Sequence, residues 1–289
     1  MPKRVQELII LLATPALCFG QAGRAELFGA IQDPAALPVP KAKVEVEDQS
    51  TMVRYSAVSD GRGEYHVLGL PAGRYVLTVK QPGFRMHRQS GITLRLADRT
   101  ALDVKLEVGQ PSQSVEVTAS ALLLQTASGE VSLNVEEKKI STLPLDGRNF
   151  IPLVTLSPGV ALPNGQFLPR INGSRPRTNE YIYDGISVLQ PEPGQVVYYP
   201  IIDGMAEFKL NLNAYSPEYG RSNGGTVMVI GKSGGNQFHG SLFEFFRNEA
   251  LNARNLFAQP GPKPEFRRNQ YGLTLGGPVQ TNKTFFFVD

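Results

Sequence analysis

Tyr219-Gly220-Arg221-Ser222-Asn223-Gly224-Gly225-Thr226-Val227-Met228-Val229-Ile230-Gly231-Lys232-Ser233-Gly234-Gly235-Asn236 is an apolar, β-branched run fenced on both sides by glycine pairs. A polar turn leads from it into Phe238-His239-Gly240-Ser241-Leu242-Phe243-Glu244-Phe245-Phe246-Arg247-Asn248. β-Branched and aromatic residues bounded by Gly, Asn and Ser predict strands on both sides of that turn. Farther along, Tyr271, Leu273 and Leu275 fall on one face of a strand, and Gln270, Gly272, Thr274 and Gly276 on the other. Apolar residues outside against polar or small ones inside is the period of a strand in a transmembrane β-barrel. Phe243 and Phe245 face together in the earlier strand, although Leu242 and Phe246 blur its alternation. Gly276-Gly277-Pro278-Val279 closes the second strand, and a third begins in Asn282-Lys283-Thr284-Phe285-Phe286-Phe287-Val288.

The glycine pairs invite a phosphate-loop reading, which the spacing rejects. Lys232-Ser233 follows Gly231 alone, and Gly225 lies too far back for the required Gly-x-x-x-x-Gly-Lys-Ser/Thr. Backbone turns in a packed domain account for these glycines.

Upstream, Leu143-Pro144-Leu145-Asp146-Gly147-Arg148-Asn149-Phe150 and Leu156-Ser157-Pro158-Gly159-Val160 are followed by Ile171-Asn172-Gly173-Ser174-Arg175-Pro176-Arg177-Thr178-Asn179-Glu180-Tyr181-Ile182-Tyr183-Asp184-Gly185-Ile186. Asp184-Gly185 predicts a tight turn in which Gly takes φ > 0. Ile202-Asp203-Gly204-Met205-Ala206-Glu207-Phe208-Lys209 comes next, ahead of the opening stretch.

The N-terminal third has a strict period of two. Val44 and Val46 alternate with Glu45 and Glu47; Tyr75, Leu77 and Val79 share a face; Ile92, Leu94 and Leu96 alternate with Thr93 and Arg95; Leu102, Val104 and Leu106 alternate with Asp103, Lys105 and Glu107. Such alternation puts one face on a core and one in water. Asp60-Gly61-Arg62-Gly63 and Pro71-Ala72-Gly73 supply turns. Six or seven strands in about 85 residues predict a small β-sandwich over residues 24–108. Residues 109–114 read as a linker, and Val115-Glu116-Val117-Thr118-Ala119 as one short extended strand.

Composition agrees with a mainly β chain, since 29 Gly and 22 Pro punctuate short alternating runs. The net charge is only +3 with its positive residues scattered, which gives nucleic-acid binding no footing. Met1-Pro2-Lys3-Arg4 precedes an apolar run at residues 8–17, too short to span a bilayer, with Gly20 and Ala22 at the −3 and −1 positions of a cleavage site. Residues 1–22 are therefore expected to be a signal peptide. Leu17 is too bulky for Cys18 to act as a lipoprotein cysteine. If Cys18 leaves with the leader, disulfides, thiol nucleophiles and cysteine-ligated metals leave with it.

Two resemblances follow from these residues. Ser59-Asp60-Gly61-Arg62-Gly63-Glu64-Tyr65, Leu70-Pro71-Ala72-Gly73-Arg74-Tyr75 and Pro82-Gly83-Phe84 resemble the carboxypeptidase regulatory-like, prealbumin-like sandwich. The segments from Leu143 onward resemble the plug (123–236) and first barrel strands (237–289) of Oar-like TonB-dependent outer-membrane transporters. Residues 248–269 match the loop that joins the first barrel strands of that family. Gly231 and Gly235 stand where the family usually has Thr. The resemblance implies a mainly β chain: the sandwich, an α+β plug, then the first strands of an incomplete transmembrane β-barrel. It also implies an outer-membrane protein with periplasmic N-terminal domains and no cofactor. Its expected partners are TonB, outer-membrane lipid and a ligand such as a siderophore, glycan or peptide.

In this family a segment ahead of the plug pairs with an edge strand of TonB. That makes Val115, Glu116, Val117, Thr118 and Ala119, within a linker at 109–122, the candidate contact. A last strand of the sandwich is the other reading of the same five residues. By motif position, Arg175, Arg177, Glu207, Glu218 and Arg221 are the candidate plug–barrel contacts. No catalysis is expected: His66, His87 and His239 are the only histidines, and none stands in a His-x-x-Glu arrangement for zinc.

A barrel of about 22 strands, each about 9–11 residues long, needs on the order of 200 residues in strands alone. The 53 residues after Asn236 supply two or three, so the chain is expected to be either a truncated transporter or a fragment of a longer one. The alternative is a secreted periplasmic or surface module that binds carbohydrate or peptide and carries a vestigial plug.

Overall fold

The structure, a computed structural model, describes residues 23–110, 114–118, 129–143, 145–163, 165–192, 194–213, 218–254, 256–257 and 261–289. The expected signal peptide and Ala119 lie outside the described residues.

Residues 25–110 and 114–118 build two packed sheets. Strands β1 (Ala25–Gln32), β2 (Lys43–Asp48), β3 (Arg54–Val58), β4 (Glu64–Leu70), β5 (Gly73–Lys80), β6 (Met86–Leu94), β7 (Arg99–Ala101), β8 (Val104–Lys105) and β9 (Ser114–Thr118) follow one another in the chain. One sheet runs β3-β2-β5-β6-β9; the other runs β4-β1-β7, with β8 also on β1. The two-residue period explains the core between them. Val44, Val46, Tyr75, Leu77, Val79, Ile92 and Leu94 from the first sheet meet Leu27, Ile31, Tyr65 and Val67 from the second. Each such side chain contributes roughly 1.5–3 kcal/mol by leaving water. Polar handles are satisfied: the Tyr65 hydroxyl donates to the Leu102 carbonyl and that of Tyr75 to the Pro71 carbonyl, both at 2.7 Å.

The second unit is a five-stranded sheet in the order β10-β15-β16-β13-β14. It comprises β10 (Val131–Glu136), β13 (Glu180–Tyr183), β14 (Ile186–Ser187), β15 (Met205–Asn213) and β16 (Thr226–Gly231), with a small hairpin of β11 (Val160–Ala161) and β12 (Arg170–Ile171) beside it. Helix α1 (Glu137–Thr142) and the 3-10 segments Asp146–Arg148, Ile151–Leu156 and Ile202–Gly204 add the α part. Phe150, Leu153, Val154, Tyr181, Phe208, Leu210, Val227 and Val229 form its buried core. β13 and β14 are joined by the predicted two-residue turn, with φ of 46° at Asp184 and 84° at Gly185. The Gly224-Gly225 pair is explained differently from the expected turn. Neither residue has positive φ; instead a Cβ on Gly224 would meet the Ile171 carbonyl oxygen at 2.5 Å, and one on Gly225 the Asn211 carbonyl oxygen at 2.7 Å. These glycines let backbones approach.

The third unit is an antiparallel sheet, β17 (His239–Asn248), β18 (Arg267–Gln280) and β19 (Thr284–Val288). Its register resolves the blurred alternation of the first strand. Leu242 lies opposite Leu273, and Gly240 opposite Leu275; Phe243 lies opposite Gly272 and Phe245 opposite Gln270. Directly opposed residues share a face. Leu242, Phe246, Tyr271, Leu273 and Leu275 therefore form the exposed apolar side. Phe243 and Phe245 stand on the other side, with the small and polar residues, because they have a partner there. No described helix is long and apolar enough to cross a membrane.

Candidate site at the seam between plug and first strands

The plug loop at Leu145–Asn149 is turned by left-handed backbone at Gly147 (φ 69°) and Arg148 (φ 51°). This turn throws the Arg148 side chain inward, where it is only 16% exposed and pairs with Asp203 of the Ile202–Gly204 turn, 18% exposed. The Arg148 guanidinium carbon also lies 3.9 Å from the ring centre of Phe245 and 5.4 Å from that of Phe243. One cation is thus shared by a carboxylate of the plug and two rings of β17. A guanidinium suits this role because it is planar, weakly hydrated and always charged.

β18 holds the same loop by its backbone. The Arg268 Nη2 and Gln270 Nε2 groups donate to the Gly147 carbonyl at 3.2 and 3.4 Å. Below this clamp, the Asn236 amide nitrogen donates to Asn282 Oδ1, and the Asn282 backbone N–H donates back to Asn236 Oδ1, both at 2.8 Å. Gly234 packs onto the backbone of Phe286 and Gly277, leaving no room for a side chain. The clamp is possible because the inner face of these strands offers two aromatic rings and two side-chain donors, while the plug loop offers a guanidinium and a free backbone carbonyl.

The residues expected from sequence lie as follows. Val115, Glu116, Val117 and Thr118 form β9, paired in parallel with β6 at the edge of the sandwich, Val115 opposite His87 and Val117 opposite Gln89. Arg175 and Arg177 are exposed in the loop between β12 and β13. Glu207 is buried and faces the sandwich: its Oε2 accepts from the Leu96 backbone N–H at 2.8 Å. Burial raises its carboxyl pKa to about 7, against the lowering effect of that hydrogen bond. Glu218 and Arg221 line a cleft of about 930 Å³ with Arg24, Tyr55 and Glu180, also on the sandwich side. Among the described residues, no three His, Cys, Asp or Glu side chains converge on a metal site.

Arg148, Asp203, Phe243 and Phe245 escaped the sequence reading as contacts, although both Asp146-Gly147-Arg148 and Ile202-Asp203-Gly204 stood in the motifs that carried it. The signal was the pairing of an Asp-Gly-Arg turn with two aromatic residues two apart in a strand.

Comparison with known proteins accords with this layout. Residues 26–107 match the model of the carboxypeptidase regulatory-like domain, and residues 230–289 match that of the outer membrane beta barrel domain. The chain is 28% identical to the TonB-dependent transporter Oar of Myxococcus xanthus over 96% of its own length, and spans 28% of the length of that relative. Among solved structures, the siderophore receptors PirA of Acinetobacter baumannii and Pseudomonas aeruginosa are 20% and 17% identical, each aligned to 52% of this chain and to 22% and 24% of the receptor, both with a TM-score of 0.40. The chain thus carries a carboxypeptidase regulatory-like domain and the start of an outer membrane beta barrel domain, and is similar along nearly all of its length to a TonB-dependent transporter of the Oar type.

Proposed function

We propose that this chain serves energy-coupled uptake across the outer membrane, as the sandwich, plug and opening strands of a plugged β-barrel. The observation that carries the reading is the Arg148 clamp. A plug loop is gripped by the inner face of strands whose outer face is apolar, as a stopper inside a lipid-facing wall requires. Among the described residues β17 and β19 are the edges of the sheet, and in a lipid-facing wall each edge would have to pair with a further strand. Its cargo would be a siderophore, a glycan or a peptide. No step is covalent, and no side chain acts as acid, base or nucleophile.

TonB would engage the segment at Val115–Ala119. Strand addition draws on main-chain N–H and C=O groups, so an edge strand serves whatever its side chains. β9 is held on one side by β6 in parallel pairing, which is slightly weaker per residue than antiparallel pairing. Arg175 and Arg177 remain for wall strands outside this chain. The expected result is that Val117→Cys in the whole protein forms a disulfide with a cysteine on the edge strand of TonB in intact cells. Absence of any such product, with cysteines placed at each of the five positions in turn, would overturn the assignment of this segment.

A further inference from the structure

The two faces of the plug sheet differ in kind. One carries the apolar core: Leu133 and Val135 on β10, Phe208 and Leu210 on β15, Val227 and Val229 on β16. The other is polar, and the register aligns it in rows. Ser132, Asn211, Thr226 and Glu180 lie opposite one another across four strands, as do Asn134, Lys209, Met228 and Ile182. Lys209, Asn211, Thr226, Glu180 and Glu207 are all at least nine-tenths buried. Seven buried side-chain atoms have no hydrogen-bond partner among the described residues, and six are on this face: Asn134 Oδ1, Glu180 Oε2, Glu207 Oε1, both amide atoms of Asn211, and Thr226 Oγ1.

What contacts this face from the sandwich is the corner after β6. Leu96 donates its N–H to Glu207, Ala97 accepts from Lys209 Nζ at 3.2 Å, and Arg95 pairs with Glu136 at 3.0 Å. Leu96 also packs with Tyr219 and Met228, with Ala97, Ile182 and Ile230 at the margin. Beside this contact the cleft of about 930 Å³ leaves the two units apart. A second foothold is the Asn236 N–H donating to the Ser50 carbonyl at 3.1 Å.

A surface this polar is matched to water. Covering Glu207 and Lys209 with a small apolar cluster and a few hydrogen bonds leaves Glu207 Oε1 stripped of a partner, which opposes the docked state. We propose that the polar face of the plug sheet is a reversible docking surface for the chain's own carboxypeptidase regulatory-like domain, which lifts from it as a cap and lets water reach the sheet. The proposal stands on the packing, to which Glu207 adds a pH dependence, and is independent of transport.

Glu207 gives the cap a pH dependence. The charged groups facing it are Asp98 and Arg95 of the sandwich corner, Lys209 on its own strand and Glu136 opposite it on β10. Its carboxyl is raised when docked and returns to the ordinary range when hydrated. The contribution to docking is therefore complete below the ordinary carboxyl pKa and is lost as pH climbs through about 7.

The test uses the full chain with Cys18→Ser, so that each introduced cysteine is the only thiol. Maleimide labelling of Met228→Cys, beneath the cap, is divided by that of exposed Glu64→Cys at each pH. Between about pH 5.5 and about pH 8 the ratio is expected to rise about tenfold. Glu207→Gln should flatten that rise, and Leu96→Asp should speed labelling at every pH. Val229→Cys, on the opposite apolar face, should stay slow throughout. A ratio that does not change with pH would overturn the proposal, as would a pH response that survives Glu207→Gln. So would Val229→Cys accelerating in step with Met228→Cys, since the plug itself would then be opening.

Discussion

Replacing Arg148 by Ala is expected to cost the seating of the plug about 3–5 kcal/mol, because it leaves the Asp203 carboxylate largely buried without its cation. The loss has two parts. The ion pair is shielded from water on both sides, so solvent screens it little. The guanidinium also sits over two aromatic rings, an arrangement worth roughly 0.5–2 kcal/mol that the strands lose as well. Arg148→Lys should recover only part of the effect, since an ammonium cannot lie flat on the rings while it holds the carboxylate. Removing Asp203 in the same molecule should return a substantial share of the stability, because no buried charge is then left unpaired. The measurement is a double-mutant cycle on urea unfolding, followed by fluorescence of a probe attached to the plug. A cycle with no coupling between the two positions would mean that the clamp is incidental.

Phe208→Ala is the second large effect, about 3–5 kcal/mol through lost transfer energy and an unfilled cavity. Phe208 is fully buried, and its ring centre lies 6.3 Å from that of Phe150. The core around it is distinct from the sandwich core, which shares none of its residues. Amide protection should therefore collapse along β15 and β16 and persist along β2 and β5. Equal loss in both sheets would show one cooperative unit instead of two.

The sandwich was legible because each of its strands buries alternate residues: Tyr75, Leu77 and Val79 are each fully covered, as their spacing predicts. The Asp184-Gly185 turn was legible for a local reason too, since left-handed backbone at two successive residues restricts what can stand there. β18 could be read from its period, but β17 could not. Its aromatic residues occupy both faces, and only pairing with β18 separates Leu242 from Phe243. The clamp was hidden because its members come from three segments far apart in the chain, and no period links Arg148 to Asp203 or Phe245. Glu207 misled in another way. Glu-Phe-Lys-Leu-Asn-Leu alternates as a strand with one wet face would, yet that face is buried against a second domain. The pairing of β9 with β6 leaves no mark on the side chains, because backbone groups make it.

The side of the last three strands that meets lipid decides whether they belong to a barrel wall. The direct measurement is the accessibility of nitroxide labels at Gln270, Tyr271, Gly272, Leu273, Thr274 and Leu275, introduced one at a time into the whole protein in outer-membrane vesicles, to oxygen and to a water-soluble nickel complex. Labels at Tyr271, Leu273 and Leu275 should respond to oxygen and little to nickel, while those at Gln270, Gly272 and Thr274 should be shielded from lipid. Uniform response to nickel at all six positions, with no two-residue period, would contradict it.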